Sequence, residues 1–166
     1  MLPSEFLTQT HEQLRDLLSK SLSIQGVQIE HYETFRTELL KHIGVEEHIV
    51  LPLVEERSPQ RFFALRQIRL EHKAIGVLLA LPPTGEIITV LRNLLKKHDF
   101  LEETPDTLYD ILDECCVADQ PELLERIKDY PGLPLSEIVS GTPTIDDAKR
   151  AIYSAGYTWE RLLSGE

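Results

Sequence analysis

Apolar residues recur along this chain at spacings of three and four, and alternation of period two is absent, so the pattern predicts helices. Between Pro3 and Lys20 the apolar positions are Phe6, Leu7, Leu14, Leu17 and Leu18, with Pro3 and Ser4 as start signals. His11 is in register with Leu7, Leu14 and Leu18, so it is expected to point into the core. Residues 21–26 read as a turn. A second helix is predicted over 27–56, with Phe35, Leu39, His42, Ile43, Glu46, Val50 and Leu53 facing inward. Pro52 has no N–H to bond the carbonyl of His48, so a bend is expected near that helix's end. Ser58-Pro59 is an N-cap followed by a first-turn proline, opening a third helix with Phe62, Leu65, Ile68, His72, Ile75 and Leu79 on one face. That helix stops at Pro82-Pro83. Thr84-Gly85 opens a fourth, facing inward with Ile87, Leu91, Leu94, Leu95, His98, Leu101, Glu102 and Tyr109, and Pro105 predicts a kink in it.

The character changes after Cys116. A short helix is predicted over 121–129, with Leu123, Leu124 and Ile127 apolar, and Tyr130-Pro131-Gly132-Leu133-Pro134 breaks it. Thr144 and Asp147 have the spacing of a capping box, opening a last helix over 145–163 with a stripe of Ala148, Ile152, Ala155, Trp159 and Leu162. Packing of that stripe on the preceding helices is the simplest expectation. Few apolar residues are left to bury Trp159 and Tyr153, so docking on a protein partner or a second copy, as a homodimer, is the alternative. The expected fold is all-α: an up-down-up-down antiparallel four-helix bundle over residues 1–118, with a C-terminal helical extension over 119–166.

Polar residues on the inward faces carry the chemistry. His42-x3-Glu46 recurs as His98-x3-Glu102, and residues four apart lie on one helix face, about 6 Å apart along the axis. In an antiparallel bundle, residues at equal height are symmetric about the intervening turn. The midpoints of His11 and His42, of His42 and His72, and of His72 and His98 fall at about Gly26, Arg57 and Gly85, each on or beside a turn signal. The four imidazoles are therefore expected in one layer. A lone histidine on an apolar face is usually a hydrogen-bonded core residue, but two buried carboxylates with no Lys or Arg on the inward faces are very unfavourable unless a cation joins them. Turning the helices to put these groups in water would expose Leu14, Leu39, Ile75 and Leu95. Four imidazoles and two carboxylates exceed one tetrahedral zinc site. They suit two six-coordinate, carboxylate-bridged iron ions, with manganese or zinc as alternatives. A small diatomic ligand or peroxide is the expected visitor to such a centre.

Composition narrows the field. A formal charge of -11 and a pI near 5.0 argue against nucleic acid, whose binding needs a basic face. No apolar run is long enough to cross a membrane, and the N-terminal residues lack the basic-then-apolar pattern of a signal peptide, so a cytoplasmic protein is expected. The two cysteines, Cys115 and Cys116, are adjacent and cannot staple a fold, which suits a reducing compartment; two small buried residues at a helix end are a simpler reading than a redox pair.

The order His11, then His42-x3-Glu46-Glu47-His48-Ile49-Val50-Leu51-Pro52, then Glu71-His72, then His98-x3-Glu102-Glu103 resembles the hemerythrin-like, or HHE cation-binding, domain over about residues 3–116. The resemblance implies a non-haem di-iron centre, with His11, His42, His72 and His98 as terminal ligands and Glu46 and Glu102 as bridges. Oxygen-carrying hemerythrins have a further histidine four residues after the third, where this chain has Gly76. That glycine is expected to empty a coordination position and leave room beside it. The resemblance then points away from reversible oxygen carriage and toward redox sensing, peroxide or nitric oxide chemistry, iron handling or iron-sulfur repair. Relatives of the last kind carry an N-terminal cysteine-containing domain, of which residues 1–20 give no sign. Around this set, Glu38 is a candidate to support or replace a ligand, with a solvated helix edge as the alternative, and His31 shares its face. His48 is expected at the surface. Core packing is the simpler expectation for Tyr109, its hydroxyl reaching the cavity the alternative. Glu47, Glu71 and Glu103 are expected to meet solvent or to bridge helices.

Overall fold

A computed structural model describes the backbone of residues 1–166 and all side chains except those of 61–64, so the expected inward position of Phe62 lies outside the described residues. The fold is all-α, with one two-residue hairpin. Helix α1 (Pro3–Lys20) starts where Glu5 reaches back to the backbone N–H of Leu2 at 2.7 Å. The expected turn after it is the antiparallel hairpin of β1 (Leu22–Ser23) and β2 (Gly26–Val27). Helix α2 (Ile29–Val45) passes through a π turn (Glu46–Val50) into α3 (Leu51–Arg57). The chain turns at Ser58, α4 (Phe62–Ala80) runs back, and α5 (Gly85–Glu103) follows with Thr84 as its N-cap, Oγ1 accepting from the N–H of Ile87 at 3.2 Å.

Both prolines act differently from the simple bend and kink expected. Before Pro52 the backbone widens: the N–H of Leu51 bonds the carbonyl of Glu46, five residues back, and the helix goes on. The extra residue rotates the buried face, so Leu51 and Val54 are fully buried where Leu53 was expected and is only half-buried. At Pro105 the helix ends. Thr104, pushed out of the helical region by the following proline, is extended, Asp106 takes a φ of 66°, and a separate helix α6 (Leu108–Cys115) begins after it. Tyr109 therefore reaches the interior from α6 and not as a continuation of α5.

Beyond α6 lie α7 (Gln120–Lys128), α8 (Ile145–Ser154) and α9 (Trp159–Ser164). The capping box forms, with Thr144 Oγ1 and the Asp147 carboxylate exchanging backbone bonds. The single last helix expected over 145–163 is instead α8 and α9, separated at Gly156, whose φ of 91° only glycine adopts cheaply. Across that break the stripe still faces one way: Ala148, Ile152, Trp159 and Leu162 share a core with residues of α1, α2, α4 and α5, whereas Tyr153 is exposed.

That core is one of two. The first holds Leu14, Phe35, Leu39, Ile75, Leu91 and Leu95 with the α8–α9 stripe; the second holds Leu7, Val50, Val54, Leu65, Ile68, Leu108 and Leu112 with α7. His11 falls between Leu7 and Leu14, and His72 between Ile68 and Ile75. A polar layer thus separates two apolar halves of one bundle. The gap between α2 and α4 is filled by residues 130–139. A Cβ on Gly44 would lie 2.6 Å from Tyr130, and one on Gly76 would lie 2.3 Å from Ile138, so both glycines exist to let this segment in.

Candidate metal centre

Each bundle helix sends a histidine into the polar layer, and all four, with Glu46 and Glu102, are almost completely buried. They form two pairs. His11 and His42 stand with ring centroids 4.5 Å apart, and His72 and His98 with centroids 4.8 Å apart, each pair at 63°. The carboxylates lie between the pairs, one oxygen to each. Glu46 places Oε1 3.1 Å from His42 Nε2 and Oε2 3.2 Å from His72 Nε2. Glu102 places Oε2 3.4 Å from His11 Nε2 and Oε1 3.2 Å from His98 Nε2. The donor atoms of His11, His42, Glu46 and Glu102 all lie within 4.8 Å of one another, as do those of Glu46, His72, His98 and Glu102.

This layer fits a cation better than it fits itself. His11 Nε2 and His42 Nε2 approach to 2.7 Å, which spends one lone pair on another ring nitrogen. His98 Nε2 and Glu102 Oε1 face each other without a hydrogen bond to each other or to any described group, at a burial where an orphaned polar atom costs about 1–3 kcal/mol. The proton balance says the same. Burial alone would lower the pKa of His72, yet its bonds to Glu46 and Glu47 push it up to about 10. His11 and His98 are raised too, against burial, by Glu102 and Glu103 and by Glu102 and Glu71 respectively. Burial would raise Glu46, but His42 and His72 hold it well below the usual carboxylate range. Imidazole neighbours that take up protons thus keep Glu46 charged. A divalent ion supplies the same charge at the same place.

The three glutamates expected at the margins, Glu47, Glu71 and Glu103, each hold an imidazole of another helix by Nδ1. Glu47 meets His72 at 2.5 Å, Glu71 meets His98 at 2.8 Å and Glu103 meets His11 at 2.6 Å. With a carboxylate on Nδ1–H, the tautomer is set and the Nε2 lone pair is turned to the layer's centre. Glu71 is fully buried, not solvated. A signal for these three was present: each is the chain neighbour of an inward residue, and on a helix that neighbour sits about 100° around, facing the next helix.

Tyr109 is also part of the layer. Its hydroxyl donates to Glu46 Oε1 at 2.6 Å and lies 3.1 Å from His11 Nε2 and 3.3 Å from Glu102 Oε2. Core packing does not describe it. Glu38 and His31, by contrast, are exposed and outside the site. His48 is at the surface, its Nδ1 2.7 Å from the Tyr130 hydroxyl. Nor does Gly76 leave room beside His72: Ile138 takes that space. Next to it lies a cleft of about 230 Å³ whose lining includes Glu47, Arg69, His72, Lys73, Glu137 and Ile138. Cys115 and Cys116 are free thiols away from the layer, and burial pushes the Cys116 thiol up to about 12, which keeps it unreactive.

No helix among the described residues is long and apolar enough to cross a membrane. No curated protein and no solved structure matches the chain. The model of the hemerythrin HHE cation binding domain does match, over residues 2–129, spanning all four histidines and both glutamates of the layer. With buried His and Glu groups of metal-binding composition at the midplane of a helical bundle, the chain belongs to the hemerythrin HHE cation-binding domain family.

Proposed function

We propose that the protein holds two iron ions in this layer, one between His11 and His42 and one between His72 and His98, with Glu46 and Glu102 shared by both. The observation that carries this reading is the way each carboxylate divides its oxygens between the two histidine pairs. One ion cannot use both pairs, and two ions without the carboxylates would repel unscreened. Nitrogen and carboxylate donors suit iron, manganese and zinc; each ion would have four protein donors, two imidazoles and two carboxylate oxygens, so a six-coordinate ion such as iron would keep places for small ligands. Bound there, iron would supply one-electron chemistry. The protein's own part is to aim the imidazoles, whose extra protons would leave as an ion binds, to exclude bulk water with two apolar cores, and to admit something small through the cleft beside His72.

Function then follows as sensing of, or reaction with, oxygen, nitric oxide or peroxide. The cleft beside His72 is small and carries both signs of charge, Arg69 and Lys73 with Glu47 and Glu137, which suits a small visitor better than an organic substrate. Metal analysis of protein purified from iron-supplied cells, with a spectrum before and after reduction, tests this. About two irons per chain and a redox-dependent band, both lost in His42→Ala and His98→Ala with the fold retained, are expected. A fold that fails in those variants, with no redox chemistry in the parent, would instead mark a metal-stabilised interaction module.

A further inference from the structure

The break between α8 and α9 lies beyond the family-matched residues, yet it touches the shell of the centre. Gln67 on α4 donates from Nε2 to the carbonyl of Ala155 at 2.8 Å and to Glu71 Oε1 at 2.9 Å. The hydroxyl of Tyr157 donates to the same Glu71 Oε1 at 2.6 Å, and Glu71 Oε2 takes His98 Nδ1 at 2.8 Å. Three groups thus run in line from the half-buried Tyr157, whose ring lies under Lys97 at 5.9 Å, through Glu71 to the imidazole of His98 on α5, with Gln67 joining at Glu71.

Glu71 differs from its two counterparts. Glu47 and Glu103 are partly exposed and each has an arginine of the bundle nearby, Arg69 at 3.6 Å and Arg15 at 3.7 Å. Glu71 is fully buried, and among the described residues it bonds the imidazole it orients and two neutral donors, one of them from the C-terminal segment. A buried carboxylate keeps its orientation only while its lone pairs are occupied. With Oε1 held by Gln67 and Tyr157, Oε2 faces His98 Nδ1, and His98 Nε2 faces the centre. Among the four imidazoles of the layer, His98 is therefore the one whose orienting carboxylate is held by a residue beyond 129.

Resting on the metal-centre reading above, we propose that Tyr157 is a positioning residue for the centre, and that docking of residues 145–164 and metal occupancy are coupled through Glu71 and His98. The coupling runs both ways: whatever the docked segment adds to metal affinity, bound metal adds to the docking of the segment. The segment then reports on the centre, loosening when the metal is lost.

Tyr157→Phe removes one oxygen and keeps the ring, so the variant folds. Parent and variant are loaded with Fe(II) anaerobically, release to a chelator is timed, and amide hydrogen exchange of α8 and α9 is compared with and without Fe(II). Release from Tyr157→Phe is expected about tenfold faster, the lower end of what outer partners of metal ligands contribute. Metal should slow exchange in α8 and α9 of the parent and fail to do so in the variant, with little change in the metal-free melting temperature. A purely structural tyrosine would lower that melting temperature and leave the release rate alone. Release within twofold of the parent, or exchange in the parent indifferent to Fe(II), overturns the inference while the centre stands. A parent that holds no Fe(II) overturns the centre and this inference with it.

Discussion

His42-x3-Glu46-Glu47 and His98-x3-Glu102-Glu103 carry the same spacing, but the backbone beneath them differs. The second lies on regular helix, and its carboxylate at Oε1 has no hydrogen bond among the described residues. The first ends in a π turn that begins at Glu46, and that carboxylate accepts from Tyr109 at 2.6 Å and meets His72 at 3.2 Å. Both oxygens of Glu46 are thus engaged, whereas Glu102 Oε1 has no hydrogen bond among the described residues. Equal spacing thus gives unequal surroundings: one carboxylate is tied to its neighbours through both oxygens, and the other keeps an oxygen without a hydrogen bond.

The largest test of that contrast is to neutralise each in turn. Glu46→Gln in metal-free protein should cost about 3–5 kcal/mol, the usual penalty for breaking one side of a buried charged pair, because Gln keeps one acceptor oxygen where Tyr109 and His72 use two, and it lacks the charge that faces His72. Glu102→Gln should cost less than half as much. Urea unfolding at pH 7 measures both, and equal losses would end the distinction. Both variants should lose metal.

Next in size is pH. His72 has a folded pKa of about 10 against an ordinary 6.5, so its proton stabilises the metal-free fold fully below 6.5, and that contribution is lost as pH rises through 10. The raised values of His11 and His98 act in the same direction. Metal-free protein should therefore melt lower at pH 9.5 than at pH 6.5. Loaded protein, whose imidazoles are neutral ligands, should show a smaller slope, and its metal affinity should rise with pH because binding releases protons.

The trailing glutamates come third. Glu47→Gln and Glu103→Gln loosen His72 and His11 respectively, and each should weaken metal binding about 10- to 100-fold, as lost partners of ligand imidazoles do. Competition with a chelator would show it, and an effect under threefold would mean the pairs are incidental. Smallest is Pro52→Ala. The π turn upstream is fixed by the Leu51 to Glu46 bond, so stability should change by less than about 1 kcal/mol and metal content not at all. A large loss of metal would show that the proline, and not the turn, places Glu46.

The periods of three and four, the caps at Thr84 and Thr144 and the turn signals were enough for the helices and their order, because each depends on residues within one or two turns. The same local rule placed His11, His42, Glu46, His72, His98 and Glu102 inward: a helix with leucines before and after a polar residue cannot turn that residue out without exposing the leucines. What a proline does was not local. Pro52 is absorbed where α4 and the second core hold the helix on both sides, and Pro105 breaks the chain where α6 must turn back to deliver Tyr109.

Sequence alone therefore decided which side chains enter the interior, since that follows from periodicity and the cost of exposing apolar surface. Only tertiary structure decided what they meet. Glu47, Glu71, Glu103 and Tyr157 find their partners on other helices, 25 to 92 positions away along the chain, and Ile138 fills the space beside Gly76 from a segment whose own sequence says nothing of it. Such pairings depend on rotation and height between elements, which no single helix's pattern encodes.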